Sequence, residues 1–182
     1  MTPLVPIRLQ PRDAGRYARL RLRMLLDAPW AYSASPESDK GLDLAFLEKS
    51  LASETQAIFA VESPALAGAA APRGEHEKPE LIAAAGIMRQ VSPKFGHRAS
   101  AWGVFVESDY RRSGLGRAVM TAAIECARVW LGVDYIDLGV SERAGAARRL
   151  YESLGFVAWG REPEATEIDG VRYDETHMTL RL

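Results

Sequence analysis

Residues 104–117 read VFVESDYRRSGLGR, and this stretch carries the strongest structural signal in the chain. Its apolar start predicts a strand and its Arg- and Gly-rich middle predicts a loop. A long helix is predicted over 114–131, with Leu115, Val119 and Ala122 on one side. A helix start leaves backbone N–H groups without partners and carries positive dipole charge, and glycines let a ligand approach closely. The stretch therefore predicts an anion site, such as a phosphate site, at the start of a helix.

Two common nucleotide-binding motifs do not match this loop. A dinucleotide fingerprint needs a third glycine at a fixed spacing after Gly114 and Gly116, and none follows. A P-loop needs Gly-Lys followed by Ser or Thr, and that is absent as well. A Gly-x-Gly by itself is also typical of a simple tight turn. The loop alone thus indicates an anion without naming it.

The rest of the chain alternates between strand-like and helix-like segments within one predicted domain over residues 1–182. The order is β α α β β β α β α β β, which places the chain in the α/β (α+β) class. Strands are predicted at 5–9, 56–61, 81–89, 98–106, 135–140, 156–159 and 171–180, and helices from Pro11 and at 44–51, 114–131 and 146–154. The segment 62–79 is rich in Pro, Gly and Ala, which predicts a surface-loop insertion.

Charge and length exclude several classes of protein. The 182 residues carry 23 basic and 24 acidic side chains, a net charge of -1, which argues against nucleic-acid binding. The arginines that recur along the first helix, Arg12, Arg16, Arg19 and Arg23, predict a solvated helix face. No stretch reaches the length of a membrane span and the N-terminus lacks a signal-like apolar core, so we expect a cytoplasmic protein with no membrane partner.

Metal and disulfide chemistry are not expected. The single cysteine, Cys126, excludes an internal disulfide and a cysteine-built zinc site. The three histidines, His76, His97 and His177, lie far apart along the sequence without metal-ligand spacing. We therefore predict no metal site.

Two blocks of the sequence resemble the GNAT family (GCN5-related N-acetyltransferases). Arg111-x-x-Gly114-x-Gly116 is similar to the family's pyrophosphate-binding Arg/Gln-x-x-Gly-x-Gly/Ala signature, and ARRLYESLGF at 147–156 resembles its Ala-x-x-Leu-Tyr-x-x-x-Gly-Phe block. The blocks lie in the family's order, and the resemblance covers most of residues 5–180 except the insertion. It implies the GNAT fold: a mixed, mostly antiparallel central sheet flanked by helices and splayed for acetyl-CoA.

The resemblance also implies how acetyl-CoA would bind. Backbone groups at Val104 and Val106 would pair with the pantetheine arm, while their side chains and that of Leu115 pack the core. Backbone N–H groups of the loop would hold the pyrophosphate; its residues are Arg111, Arg112, Ser113, Gly114, Leu115, Gly116 and Arg117. The chain departs from the family at Ala144, where many members carry an Asn that contacts the cofactor arm.

The implied reaction is attack of an amine on an acetyl thioester, which requires proton transfers. An ammonium has a pKa of about 10.4 and must lose a proton, while the leaving thiol, with a pKa of about 8.5, gains from a proton donor. Tyr151 matches the family tyrosine and is the candidate general acid; the alternative is a core aromatic. In many members a glutamate on the strand before the loop acts as the general base. The matching position in this chain is about Ser100, whose hydroxyl could position a water. Glu107 and His97 are the alternative bases.

The acceptor would be selected by the segments that cover the site. By resemblance these are the first interhelical loop, with Trp30, Tyr32, Glu37 and Asp39, and the turn between the last two strands, with Glu162, Glu164, Glu167 and Asp169. Both segments lean acidic, which serves either solubility or attraction of a cationic substrate. The second interpretation favours a polyamine or an aminoglycoside-type antibiotic, with antibiotic resistance as one role.

Three functions remain open at this level. The leading one is an acetyl-CoA-dependent N-acetyltransferase that acts on a primary amine of a small cationic molecule, without a metal. The alternative within the enzymes is a protein or peptide acetyltransferase acting on N-termini or lysines. The alternative of another class is a non-catalytic acetyl-CoA sensor. Homodimers are common in the family, so a homodimer is one expected assembly.

Overall fold

The computed structural model describes residues 4–64, 79–130 and 132–182. Within these ranges, four α-helices pack on a seven-stranded sheet. The strands are β1 (Ile7–Arg8), β2 (Gln56–Glu62), β3 (Leu81–Arg89), β4 (Arg98–Val106), β5 (Tyr135–Ser141), β6 (Val157–Ile168) and β7 (Val171–Arg181). The helices are α1 (Ala14–Asp27), α2 (Leu44–Leu51), α3 (Leu115–Arg128) and α4 (Gly145–Ser153). Residues 65–78 of the predicted insertion lie outside the described residues.

The sheet is mixed and mostly antiparallel, in the order β1-β2-β3-β4-β5-β7-β6. Its one parallel pair within the described ranges is β4 with β5, which is joined over three residue pairs, from Arg98 opposite Tyr135 to Ser100 opposite Asp137. β4 then runs on to Val106 and β5 to Ser141 without further pairing between these two described strands. The two strands therefore separate towards their carboxyl ends, and the splayed sheet expected from the resemblance is confirmed.

Two apolar clusters hold the helices on opposite faces of the sheet. On one face α1 and α2 pack on the strands, with Leu20 and Ile58 fully buried. On the other face α3 packs on the strands, with Met120 and Ile136 fully buried. Ala57 belongs to this second cluster although its neighbour Ile58 belongs to the first, because side chains alternate along a strand. Each large apolar side chain, such as Leu20 or Met120, contributes about 1.5–3 kcal/mol to folding when it is fully buried.

The arginine face of the first helix is only in part the solvated surface that we predicted, since Arg12 and Arg19 are exposed but Arg16 is not. Arg16 is buried, forms ion pairs with Asp13 and Glu62, and donates to the Pro79 carbonyl. The other members of the face that pair with acids are Arg19, with Glu80, and Arg23, with Glu80 and Glu107. The prediction was wrong for Arg16 because the ends of β2 and β3 bring their acids against α1, which the pattern of one helix cannot show.

The last two strands are longer than predicted and their turn is shorter. β6 continues to Ile168, so Glu162, Glu164 and Glu167 lie in a strand and not in the predicted turn. The turn consists of Asp169 and Gly170, with φ angles of 51° and 76°. Positive φ at both central residues is the type I′ geometry for which Asp-Gly is favoured, and this turn joins strands directly. The Asp169-Gly170 pair indicates a two-residue hairpin turn, and the predicted turn between the last two strands did not take it into account.

Helix α3 is shorter than the predicted 114–131. It begins at Leu115 and ends at Arg128, and Val129 forms its C-cap. Residue 131 lies outside the described residues. Among the helices in the described ranges, none combines the length and apolar character that crossing a membrane requires.

Candidate active site

The loop between β4 and α3 presents backbone N–H groups to open space. Arg112 and Gly114 have positive φ angles of 63° and 88°, and Gly114 is the N-cap of α3 without a side-chain cap. A Cβ atom on Gly114 would meet no atom within 4 Å. Turns of this handedness and an uncapped 14-residue helix both favour an anion. The loop has the shape that the sequence predicted.

The arginines of this loop have different partners. Arg111 donates to the Val106 carbonyl at 3.1 Å and forms an ion pair with Asp27 at the end of α1. Arg117 donates to the Ser153 hydroxyl at 2.6 Å. No carboxylate within the described ranges lies at ion-pair distance from Arg112. Arg117 likewise has no carboxylate at that distance within these ranges, so the loop carries two positive charges that no described acid neutralises.

The side chains of Ser113 and Leu115, and the missing side chain of Gly116, have structural roles. Ser113 donates its hydroxyl to the carbonyl of Tyr110, and Leu115 is buried in the core as predicted. A Cβ atom on Gly116 would lie 3.2 Å from Leu150 Cδ2, so this glycine allows α3 to approach α4. Gly114 and Gly116 therefore serve different purposes, one at the open loop and one in packing.

A bulge in β4 lies where the strand separates from β5. Gly86 pairs with Trp102 and Ala84 with Phe105, so Gly103 and Val104 together oppose one residue of β3. Gly103 has a φ of 59°, which favours glycine. The carbonyl of Val104 accepts a hydrogen bond from the Tyr32 hydroxyl at 3.2 Å. The bulge thus connects the interhelical loop to the edge of the gap.

Tyr151 lies buried in α4, with its ring 5.9 Å from that of Phe156. Burial raises the pKa of its hydroxyl, and the Tyr32 phenol raises that pKa further. Tyr32, which contributes to this shift, is itself hydrogen-bonded to the Val104 carbonyl at the bulge. At neutral pH Tyr151 is a protonated hydrogen-bond donor.

Of the three candidate bases, Ser100 and Glu107 are bound to other side chains and His97 lies far from the β4 bulge. Ser100 accepts a hydrogen bond from Gln90 Nε2 at 2.9 Å. The Glu107 carboxylate is paired with Arg23. His97 precedes β4 at its far end from the bulge and packs edge-on against Tyr135.

The four predicted acceptor residues divide into distinct environments. Asp39 accepts from Arg21 at 2.6 Å, and that guanidinium lies 4.8 Å from the Tyr32 ring centre. Trp30 faces Arg143, whose guanidinium lies 5.4 Å from its ring centre. Glu37 is exposed, and a hydrogen bond from Ser35 lowers its pKa. Asp39 and Tyr32 therefore hold the loop in place, Trp30 is half-buried, and Glu37 is exposed.

A cleft runs between this loop and the last hairpin. Residues 32–36 form one wall and residues 165–168 of β6 form the other. The turn at Pro29–Ala31 packs against both β5 and β6, which closes one end. The cleft lies on the α1 side of the sheet, and Tyr32 in its wall is hydrogen-bonded to the β4 bulge.

Most of the acids around this cleft are already paired. Glu164 and Glu167 both bind Arg172, and Glu162 binds His177. These pairs reduce the negative field that the sequence indicated for the cleft.

Sequence reasoning missed one cluster, formed by Glu162, Glu175 and His177. His177 Nε2 lies 2.9 Å from a Glu162 oxygen, and its Nδ1 lies 3.9 Å from a Glu175 oxygen. One carboxylate oxygen of each glutamate and one ring nitrogen of His177 lie within 4.8 Å of one another, and these are atom types that bind metal ions. A Cβ atom on Gly139 of β5 would lie 2.0 Å from Glu175 Oε1. A lone glycine inside an apolar strand was the available signal, since it often marks a close approach.

These features agree with the comparisons to known proteins. The chain belongs to the Acetyltransferase (GNAT) family, whose sequence model matches residues 22–156. It is 46% identical over 56 residues to mycothiol acetyltransferase of Thermobispora bispora, covering 31% of this chain and 19% of that protein. It is 33% identical over 79 residues to L-amino acid N-acyltransferase MnaT of Escherichia coli (strain K12), covering 43% and 45%. The matched segments thus span less than half the length of either relative.

The fold is shared with solved structures of the family. The protein yncA from Salmonella typhimurium, solved with its cofactor acetyl-CoA, superimposes with a TM-score of 0.76. The match covers 99% of this chain and 94% of that one at 20% sequence identity, which establishes the fold alone.

Proposed function

We propose that this chain transfers the acetyl group of acetyl-CoA to a primary amine of a small molecule. The observation that carries the proposal is the uncapped start of α3, with the open backbone of Gly114, at the end of the strand that separates from β5. Family membership and the acetyl-CoA found with yncA support the choice of anion.

The residues of the loop and the gap fit such a ligand. The N–H groups from Gly114 to Arg117 would hold the pyrophosphate, and Arg112 would add positive charge. The carbonyls of Val104 and Val106 already accept hydrogen bonds from Tyr32 and Arg111, and each retains a second lone pair for the pantetheine arm. When bound, acetyl-CoA supplies the thioester carbonyl and a thiol leaving group.

Tyr151 would act on the leaving sulfur. An ordinary phenol, with a pKa of about 10, is already a weaker acid than a thiol at about 8.5. Burial raises the pKa of Tyr151 further, so complete proton transfer to a thiolate is unfavourable. Its hydroxyl therefore stabilises the developing thiolate by donating a hydrogen bond, and solvent completes the proton balance. This refines the general-acid role expected for Tyr151.

The reacting group that we propose for the acceptor is a primary amine. A polyamine or an aminoglycoside was favoured because the covering segments lean acidic, but most of those acids are paired internally. Arg143, which has no carboxylate at ion-pair distance within the described ranges, lies between the rings of Trp30 and Tyr173, and Trp30 lies just before the loop segment that forms one wall of the cleft. With most acids paired and this positive charge nearby, a zwitterion fits the site as well as a polycation.

Turnover with a panel of amines tests the proposal. The purified chain is incubated with acetyl-CoA and spermidine, kanamycin, L-phenylalanine or an alanine-starting peptide, and thiol release is followed with a chromogenic disulfide. We expect thiol release with at least one small amine and a product heavier by one acetyl group in mass spectrometry. Acetyl-CoA binding without thiol release on any amine would favour the sensor. Acetylation of the peptide alone would favour the protein acetyltransferase.

A further inference from the structure

The proposed reaction requires a group that takes the proton of the ammonium, and the expected positions do not supply one. Ser100 stands where many family members carry a glutamate, and Glu107 is paired with Arg23. A replacement must lie on the acceptor side of the sheet, beside the gap between β4 and β5.

The carboxylate of Glu175 lies over β5, the strand that borders this gap. Glu175 pairs with Ser141 in the sheet, and its side chain extends back across Gly139. A Cβ atom on Gly139 would lie 2.0 Å from Glu175 Oε1 and 2.4 Å from Cδ. The absence of a side chain at residue 139 is therefore what allows the carboxylate to lie there.

The carboxylate and the β4 bulge both lie just beyond the paired part of β4 and β5. The last pair is Ser100 with Asp137; two residues further along lie Gly139 on β5 and, on β4, Trp102, directly before the bulge at Gly103 and Val104. Arg98 binds the Asp137 carboxylate, which places Ser100, Asp137 and Gly139 on one face of the sheet. Trp102, on that same face, packs in the cluster formed by α1 and α2, so this is the face with the acceptor cleft.

We infer that Glu175 is the general base of the proposed acetyl transfer. The inference rests on the proposed function. As the amine nitrogen bonds to the thioester carbon, the carbon–sulfur bond breaks and the nitrogen becomes strongly acidic. The ammonium loses two protons in all: one passes through the Glu175 carboxylate to solvent, and the other balances the thiolate, which leaves as the thiol. Glu175 contacts the amine, whereas Tyr151 contacts the sulfur.

The charged neighbours of Glu175 come from every element around it. His177 follows it on the same face of β7, and Glu162 of β6 binds that imidazole at 2.9 Å. Tyr173 precedes it on that face and accepts a hydrogen bond from Arg143 at 3.1 Å. On β5 the nearest acid is Asp137, which is neutralised by Arg98. The His177 imidazole is hydrogen-bonded to Glu162 at 2.9 Å and lies 3.9 Å from Glu175, so no hydrogen bond from it occupies the Glu175 carboxylate over Gly139.

Two variants remove the carboxylate from this position in different ways. Glu175→Gln keeps the shape and removes the base. Gly139→Ala keeps the base and displaces it, because the new methyl group would take the place of the flexible end of Glu175. The matched control is Glu142→Gln, which also removes a carboxylate. Glu142 and Asp174 both bind Arg161, and Asp174 points to the face of β7 opposite that of Glu175.

The kinetic test uses the amine that the wild type acetylates most rapidly in the panel above. We expect Glu175→Gln to lower kcat/KM by about 100-fold or more and to remove the acidic limb of its pH profile. Gly139→Ala should cause a similar loss of kcat/KM, and the double variant Gly139→Ala/Glu175→Gln should be no slower than either single variant. Glu175→Asp should restore part of the rate and the acidic limb of the pH profile. Glu142→Gln should match the wild type, and acetyl-CoA affinity by calorimetry should be unchanged in all variants.

Several outcomes would overturn the inference. An unaltered pH profile in Glu175→Gln, or additive losses in the double variant, would remove Glu175 as base. Loss of wild-type turnover on chelation of divalent cations would show that the cluster with Glu162 and His177 holds a metal instead. A wild type that releases no thiol on any amine fails at the proposed function, and is thereby distinguished from failure of Glu175 alone.

Discussion

The guanidinium of Arg21 and the carboxylate of Asp39 form an ion pair in which less than a tenth of either side chain is exposed. Two guanidinium nitrogens donate to one Asp39 oxygen, at 2.9 and 2.6 Å, and the backbone N–H of Gly41 donates to the other. The same guanidinium lies over the Tyr32 ring. This buried ion pair therefore fixes the loop between α1 and α2, including Tyr32, which is hydrogen-bonded to the β4 bulge.

Asp39→Asn should destabilise the protein by about 3–5 kcal/mol, because it leaves the Arg21 charge buried without its counter-charge. Urea unfolding monitored by circular dichroism measures the loss. Glu37→Gln in the same loop is the control and should be neutral, since Glu37 is exposed. Equal stability of the two variants would contradict a structural role for Asp39 and return it to the acceptor residues.

Gly114→Ala should weaken acetyl-CoA binding by about tenfold, equivalent to about 1.4 kcal/mol, because a methyl group would block approach to the uncapped helix start. Gly170→Ala is the matched control: both glycines have positive φ and open space around them, so both variants carry a similar backbone strain of about 1 kcal/mol. Calorimetric titration with acetyl-CoA separates them. An equal affinity in both variants would mean that the ligand does not approach Gly114.

Tyr151→Phe should lower kcat by about 100-fold while the acetyl-CoA affinity stays at the wild-type level, because only the hydrogen bond to the leaving sulfur is lost. Tyr135→Phe, at the opposite end of β5, makes the same chemical change away from the gap and should leave kcat unchanged. Steady-state rates and calorimetry supply both numbers. Wild-type turnover in Tyr151→Phe would leave this residue as a core aromatic.

The arrangement of strands and helices could be predicted because local patterns carry it. The bounds of α2, β3 and β4 agree with the sequence, since apolar spacing and nearby Pro or Gly residues mark them. The strand–loop–helix around Gly114 follows from the same cues. The resemblance of two blocks then supplied the mixed sheet and the splayed pair, which periodicity alone does not specify.

The side-chain partners could not be predicted because they depend on elements that are distant in sequence. Arg16 looks solvated on a helical pattern, yet residues from two strands enclose it. Glu175 looks like one more surface acid on β7, and only the register opposite β5 places it over Gly139. Such pairings become visible once the strand order is known.

Alkaline pH should destabilise the protein partly through Tyr32. Burial raises the pKa of Tyr32 to about 12 from an ordinary value of 10, so the folded state holds the proton more tightly than the unfolded state. The stabilising difference is complete below pH 10 and is lost as the pH rises from about 10 through about 12, at a cost of about 2–3 kcal/mol. Tyr32→Phe should show a shallower fall in the free energy of unfolding over that range, measured by urea unfolding at several pH values. A parallel fall in both proteins would exclude Tyr32 as a contributor.

Tyr17→Phe should leave the free energy of unfolding unchanged or raise it by about 1 kcal/mol. The Tyr17 hydroxyl is fully buried beside the Gly103 bulge and has no hydrogen-bond partner among the described residues. A buried hydroxyl without a partner costs about 1–3 kcal/mol in proteins, and replacement by phenylalanine removes that cost while keeping the ring in the core. Ser50→Ala provides a parallel case, since Ser50 has the other buried hydroxyl without a partner in these ranges. Urea unfolding of both variants against Tyr32→Phe, which loses a real hydrogen bond to Val104, measures the contrast. A loss of more than about 1 kcal/mol in Tyr17→Phe would mean that the hydroxyl is hydrogen-bonded in solution, with a water at the bulge as the partner of suitable size.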